Sequence, residues 1–147
     1  METILSPEYL EFNRLYKEES DIYREISLKM GTPNSAISIL YDLCLLGGGC
    51  TQKDICESSF LSKQTVNSAI KKLLADGHIY LEKGRGRSTH IYLTESGEKL
   101  VDEKIRPVME MEARAFSALG EDSILLNKLM GAYLANLRGE VQKLQPR

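Results

Sequence analysis

The chain has 147 residues, of which 42% are hydrophobic and 27% are charged, a composition typical of one soluble globular domain. No apolar run approaches the roughly 20 residues that a membrane-spanning helix needs, and the N-terminal residues Met-Glu-Thr lack the features of a secretion signal. The formal net charge of −2 argues weakly against nucleic acid as a partner. These features exclude a membrane protein and predict a cytoplasmic one.

A first helix is predicted to run from Ser6 to about Met30. Ser6 suits the N-cap and Pro7 the first helical position, while Gly31 and Pro33 stop the helix. Aromatic residues recur at seven-residue spacing along it, which favours a packing seam over a cofactor site. The stripe consists of Tyr9, Tyr16 and Tyr23, with Phe12 nearby.

A second helix is expected to follow, with Thr32 as its cap and Pro33 at its first position. The glycine run at residues 47–49 ends it. Its predicted apolar face contains Ala36, Ile37, Leu40, Leu43 and Cys44.

Thr51 begins a short third helix, with Asp54 three residues later in an imperfect capping box. Free amide groups at this helix start, with Gln52 and Lys53 beside them, are suited to holding a phosphate. A helix end that is merely solvated is the alternative, and the sequence favours neither.

A fourth helix is predicted between the cap Ser62 and Gly77, and its two faces differ in chemistry. Its apolar face is formed by Val66, Ala69, Ile70, Leu73 and Leu74. On the polar face, the amides of Gln64 and Asn67 suit the edges of DNA bases. The side chains expected to hold phosphates are those of Ser62, Lys63, Thr65, Ser68, Lys71 and Lys72. This is the pattern of a helix that lies in the major groove.

Two strands follow, because apolar residues alternate with polar ones from Ile79 to Glu82 and from His90 to Leu93. The turn between them, residues 83–88, contains two glycines and three cations: Lys83, Arg85 and Arg87. A hairpin with a basic tip beside a polar-faced helix is a winged helix-turn-helix, in which the wing approaches the DNA backbone or minor groove.

Charge is unevenly distributed along the chain. Residues 51–94 contain seven basic and four acidic residues, giving +3, whereas the remainder contains twelve basic and seventeen acidic residues, giving −5. A basic DNA-binding segment on an otherwise acidic protein can orient the bound DNA without attracting DNA to every surface of the protein.

The C-terminal third is predicted to form two helices. Thr94 caps the first, Pro107 is expected to kink it, and residues 120–122 separate it from the last. The flanking helices are apolar along much of their length, which indicates an obligate twofold dimer. A twofold DNA-binding dimer predicts a pseudo-palindromic DNA site with half-sites about one helical turn apart.

These elements resemble the MarR family of bacterial transcription regulators over nearly the whole chain. The motifs that carry the resemblance are SAISILYDL (residues 35–43), TQKDI (51–55), LSKQTV (61–66) and LTESG (93–97). The resemblance implies a mainly α fold with a small β-hairpin, a DNA-binding lobe at about residues 33–94 and dimerisation helices at 1–32 and 95–147. It most often implies a repressor that acts as a homodimer.

Two further implications of the resemblance concern individual residues. Arg87 matches the arginine of the family's wing, but Arg85 stands where an acidic partner is usual, so the resemblance does not predict an ion pair that orients Arg87. Family members often bind small aromatic or phenolic effectors, although core packing is the competing role for the residues that would line such a site. The residues available to line it are Tyr9, Phe12, Tyr16, Tyr41 and Met109.

Other functions have less support. A thiol-based redox sensor is one alternative, through Cys44, Cys56 or, chiefly, Cys50, and a winged helix used only for protein contact is another. Neither His78 nor His90 combines with these cysteines at a metal-ligand spacing, so no metal or other cofactor is expected. Hydrolase, phosphate-loop and zinc-protease motifs are absent from the sequence, and we predict that the protein is not an enzyme.

Overall fold

Helix α1 (Pro7–Met30) opens the computed structural model, which describes residues 4–146. The Ser6 hydroxyl accepts a hydrogen bond from the Tyr9 amide at 3.1 Å, and Gly31 ends the helix at a φ of 61°. Both predicted ends of this helix are therefore confirmed.

Helix α2 (Asn34–Leu46) begins one residue later than predicted. Pro33 occupies the cap position, and the Thr32 hydroxyl turns back to donate to the Met30 carbonyl at 3.3 Å. The prediction that Thr32 caps α2 is therefore wrong. Ile39, which the predicted apolar face omitted, is fully buried, because α2 is covered on more than one side.

A winged helix-turn-helix follows α2, and it contains one strand more than the sequence predicted. Its helices are α3 (Gln52–Ser59) and α4 (Lys63–Ala75), and its strands are β1 (Cys50–Thr51), β2 (Ile79–Lys83) and β3 (Thr89–Leu93). The sheet is antiparallel in the order β1-β3-β2. Ile91 of β3 lies opposite Cys50 on one side and Leu81 on the other. A two-residue strand such as β1 is too short to show alternation.

The core of the first compact unit, which ends at Val108, gathers side chains from all these elements. The largest fully buried ones are Ile39, Leu40, Ile55, Val66, Ile91, Ile105 and Val108. Leu74 was predicted on the buried face of α4 but is 42% exposed. Leu81 is exposed too, and Ile79 is the only buried residue of β2.

Pro107 changes the helix that leaves the wing without ending it. Helix α5 (Glu95–Leu100), capped by Thr94 as predicted, continues through a π-helical turn (Val101–Ile105) into α6 (Arg106–Ser117). The Arg106 amide bonds to the Val101 carbonyl, five residues back. This wider turn stands directly before a residue that lacks an amide hydrogen and crowds the preceding turn, so we assign the change of register to Pro107.

A second compact unit begins at Met109 and contains most of α6 and helix α7 (Asp122–Val141). Gly120, at a φ of 59°, lies in the break between the two helices, where the sequence predicted one. No residue of α7 is buried. Its exposed large apolar residues are Ile124, Leu125, Leu126, Leu129, Leu134, Leu137 and Val141. Within residues 4–146, no helix is long and apolar enough to cross a bilayer.

Candidate nucleic-acid interface

Helix α4 is held by one face and presents the other to solvent. Val66, Ile70 and Leu73 are buried. The Ser62 hydroxyl accepts from the Thr65 amide at 3.1 Å and lies 2.8 Å from the Thr65 hydroxyl, so both hydroxyls already serve the helix start. On the opposite face, the exposed side chains are Lys63, Gln64, Ser68, Lys71 and Lys72, and Asn67 is half-buried.

The predicted cations divide into paired and unpaired groups. Lys72 lies 3.3 Å from Asp76, and Lys53 lies 3.8 Å from Glu57. Across residues 4–146, no salt bridge engages the remaining cations of the predicted surface: Lys63, Lys71, Lys83, Arg85 and Arg87. Their positive charge is therefore available to an external anion.

The wing tip is a short turn closed by its own backbone. The Gly84 amide donates to the Ser88 carbonyl at 2.9 Å, and the Ser88 hydroxyl donates to the Arg85 carbonyl at 3.0 Å. Gly86 adopts a φ of 75°, which favours glycine. The turn therefore exposes two guanidinium groups, and Arg87 has no ion pair with an acid in the described part of the chain.

The capping residues at the start of α3 are already hydrogen-bonded to each other. The Asp54 carboxylate accepts from the Thr51 amide at 2.8 Å, while the Thr51 hydroxyl accepts from the Asp54 amide at 3.2 Å. The predicted capping box is therefore complete. Accepting the Thr51 amide lowers the pKa of Asp54 and keeps an anion at this helix end. Gln52 is half-buried beside it, so a phosphate contact at Gln52 and Lys53 remains a prediction, and the solvated alternative gains support.

Two features of this surface were missed by sequence reasoning. Phe60, in the turn between α3 and α4, is 83% exposed and adopts a φ of 55°. His90 bridges the wing tip and the loop before α3, through Ser88 and the Gly49 carbonyl. An apolar residue between two serines and a leucine gave no signal of exposure, whereas the alternation along β3 did place His90 away from the core.

The five residues predicted to line an effector site do not line the groove that lies beside α4 in the first unit. That groove has a volume of about 610 Å³, and none of the five lines it. It lies between residues 31–36, α4 and Leu100, and its α4 residues include Gln64, Ser68 and Lys72. Tyr9 and Phe12 do lie together on α1, with ring centroids 6.2 Å apart. Tyr16 is exposed on α1, and Tyr41 on α2 and Met109 on α6 are half-buried.

The three cysteines do not combine into a redox-active or metal-binding site in the described part of the chain. Cys50 is buried in β1, and burial raises the pKa of its thiol and that of Cys44. A raised thiol pKa disfavours the reactive thiolate. Cys56 is half-buried. Among residues 4–146, no group of three or more histidine, cysteine or carboxylate side chains is placed to hold a metal ion.

Comparison with known proteins identifies the fold. Residues 30–88 match the sequence model of the MarR family. Residues 30–88, less than half of the chain, therefore resemble a MarR-family winged helix. Two solved regulators share the fold over nearly the whole length. NMB1585, a MarR family regulator from Neisseria meningitidis, is 21% identical, with a TM-score of 0.77 over 94% of this chain and 98% of that one. S. aureus MepR in complex with DNA is 23% identical, with a TM-score of 0.68 over 92% and 99%.

A third similar structure contains a small molecule. NadR in complex with 4-hydroxyphenylacetate is 20% identical, with a TM-score of 0.68 over 92% of this chain and 96% of that chain. No curated protein sequence matches the chain significantly. The comparisons confirm the predicted fold class, which is mainly helical with a small antiparallel sheet.

Proposed function

We propose that this protein is a sequence-specific double-stranded DNA-binding regulator that acts in the cytoplasm as a homodimer. The observation that carries the proposal is the set of polar and basic side chains that α4 and the wing leave at least partly exposed. It combines the amides of Gln64 and Asn67 with five cations that have no ion pair in the described chain. Amides suit base edges, and unpaired cations suit phosphates.

The proposed assembly divides the chain into two functional lobes. Residues 33–94 would read DNA, while residues 1–32 and 95–147 would form the dimer. The support lies in apolar side chains that the single chain leaves exposed on α1 and α7, Tyr16 and Leu129 among them. A second copy of the chain is the occupant we propose for these faces, and a twofold dimer would require a pseudo-palindromic operator.

We further propose that the regulator is a repressor whose binding is relieved by a small aromatic or phenolic molecule. NadR supports this class of effector because its structure contains 4-hydroxyphenylacetate. The groove beside α4 favours a site in the DNA-reading lobe, because a ligand there would touch Gln64, Ser68 and Lys72. The alternative site, at the aromatic residues of α1 and α2, has the ring pair of Tyr9 and Phe12 in its favour.

Selection of bound sequences from a random duplex pool tests the proposal. We expect an enriched pseudo-palindrome with half-sites separated by about one helical turn. Recovery of unrelated sequences, together with no shift of generic duplex at low salt, would favour a winged helix used for protein contact. Titration of the selected duplex with and without 4-hydroxyphenylacetate then tests the effector class.

The thiol-sensor alternative is tested by the same assay. If the protein were a thiol sensor, peroxide treatment would change its DNA affinity, and the Cys50→Ser substitution would abolish that change. The buried thiol of Cys50 leads us to expect no change. An enzymatic role has no catalytic motif to support it.

A further inference from the structure

His90 connects two parts of the interface that are distant in the sequence. In the sheet it lies between Thr51 of β1 and Glu82 of β2. Its ring atom Nδ1 is 2.5 Å from the Gly49 carbonyl oxygen, in the loop that leads to α3. Its other nitrogen, Nε2, is 3.2 Å from the Ser88 hydroxyl at the end of the wing turn. The ring therefore joins the wing to the loop before the helix-turn-helix.

The wing turn is packed onto this ring as well as bonded to it. A Cβ atom at Gly84 would lie 2.3 Å from His90 Nε2 and 2.8 Å from the Ser88 hydroxyl oxygen. The first residue of the turn must therefore be a glycine while the ring holds this position. The orientation of the ring and the path of the turn are thus coupled.

Counting protons in this network identifies the charge state that completes it. A carbonyl oxygen only accepts, so Nδ1 must carry a proton to bond to Gly49, and the single Ser88 proton must point to the Arg85 carbonyl at 3.0 Å. The Ser88 oxygen then faces Nε2 as an acceptor. All three bonds form together only if Nε2 is protonated too, which makes the ring an imidazolium.

The charges around the ring act in both directions. The pKa of the Asp54 carboxyl is lowered mainly by the Thr51 amide, and positive charge on His90 and Lys53 lowers it further, so Asp54 is an anion near the ring. Glu82, the cross-strand partner of His90, also carries negative charge. The cations of the wing, Lys83, Arg85 and Arg87, oppose it.

We infer that His90 is the positioning residue of the wing, and that its double protonation sets the turn carrying Arg85 and Arg87 for DNA. This inference rests on the proposed DNA-binding function. When the ring loses a proton, Nε2 becomes an acceptor and competes with the Arg85 carbonyl for the Ser88 proton, so one bond of the turn is lost. DNA affinity should therefore fall when the ring loses this proton.

The test is titration of the selected duplex with full-length protein between pH 5.5 and 8.0 at constant ionic strength. The chain has only two histidines, which makes His78→Gln a matched control, because the His78 ring bonds to Ser96. Wild type and His78→Gln should lose affinity about fivefold over this range, the effect of about one hydrogen bond. His90→Gln should bind with little dependence on pH.

A second variant separates positioning from direct contact with a phosphate. Ser88→Ala keeps the imidazole but removes the hydroxyl that makes its protonation matter to the turn. We expect this variant to lose the pH dependence as well. An unchanged pH profile in either Ser88→Ala or His90→Gln would overturn the inference, as would a flat profile in wild type. Failure of wild type to bind duplex at any pH would instead contradict the proposed function itself.

Discussion

At the scale of single residues, side chains on one exposed face of α4 differ in what they offer DNA. Gln64 has an amide that both donates and accepts, whereas Lys71 has a point charge with no ion pair in the described chain. Sequence periodicity placed both on the polar face. It did not show that Lys72 is paired with Asp76, because that contact depends on the side-chain conformations at the end of the helix.

Gln64→Ala and Lys71→Ala should therefore weaken binding in different ways. Loss of Gln64 should relax preference at particular base positions by about 1–3 kcal/mol, the value of a bidentate contact. Loss of Lys71 should weaken all duplexes similarly and reduce the salt dependence by about one phosphate per subunit. Titration of operator and scrambled duplex measures both effects, with the exposed Lys17→Ala as a control. A uniform loss for Gln64→Ala would contradict its assignment to base reading.

Phe60 permits a prediction about stability. Its φ of 55° disfavours any residue with a Cβ except asparagine and aspartate, and little apolar packing holds a side chain that is 83% exposed. Phe60→Asn should raise the free energy of unfolding by about 0.5–1 kcal/mol. Phe60→Leu, which keeps the conformational cost, should leave it unchanged. Denaturant unfolding distinguishes the two, and destabilisation by Phe60→Asn would show that the ring packs against something.

At the scale of elements, the predicted helix ends were mostly confirmed where a cap residue had a strong local signal. Ser6, Thr51, Ser62 and Thr94 each accept an amide hydrogen bond at the start of their helix. Strand β1 and the π-helical turn were not predicted. The pairing of β1 depends on Ile91, about forty residues away, and the turn depends on how a helix accommodates Pro107. Neither dependence produces a local pattern.

The junction between the wing and α5 is tightly packed at Gly97. A Cβ there would lie 1.9 Å from the His78 carbonyl oxygen, which also accepts from the Thr94 amide. Gly97→Ala should lower the free energy of unfolding by about 1–3 kcal/mol, because backbone must move to admit the methyl group. Gly131→Ala, where a Cβ meets nothing within 4 Å, should raise it by about 0.5–1 kcal/mol. Equal effects in thermal unfolding would contradict this account of the junction.

At the scale of the whole molecule, the charge distribution and the uncovered apolar faces suggest two partners. Residues 51–94 carry a net positive charge, whereas the rest of the chain is acidic. Helix α7 buries none of its residues. The sequence indicated both features, since charge and apolar periodicity are local properties. The effector site was least predictable, because the groove beside α4 is formed by residues from three separate segments.

Leu129→Asp should disrupt the proposed dimer. The side chain is 59% exposed in the single chain, so a charge there costs little unless a second subunit covers it. Leu45→Asp, on α2 and 64% exposed, is the matched control. Sedimentation should show a dimer for wild type and Leu45→Asp, and monomer or unfolded chain for Leu129→Asp. A well-folded wild-type monomer would disprove the dimer.

The salt dependence of duplex binding tests most directly whether α4 and the wing together hold DNA. The logarithm of the affinity for the selected duplex should fall linearly with the logarithm of the salt concentration, because bound phosphates release their counterions. Arg87→Ala should weaken binding and flatten this slope by about one phosphate per subunit, whereas Arg114→Ala, on α6, should leave both unchanged. An Arg87→Ala variant with wild-type affinity and wild-type slope would show that the wing does not touch DNA.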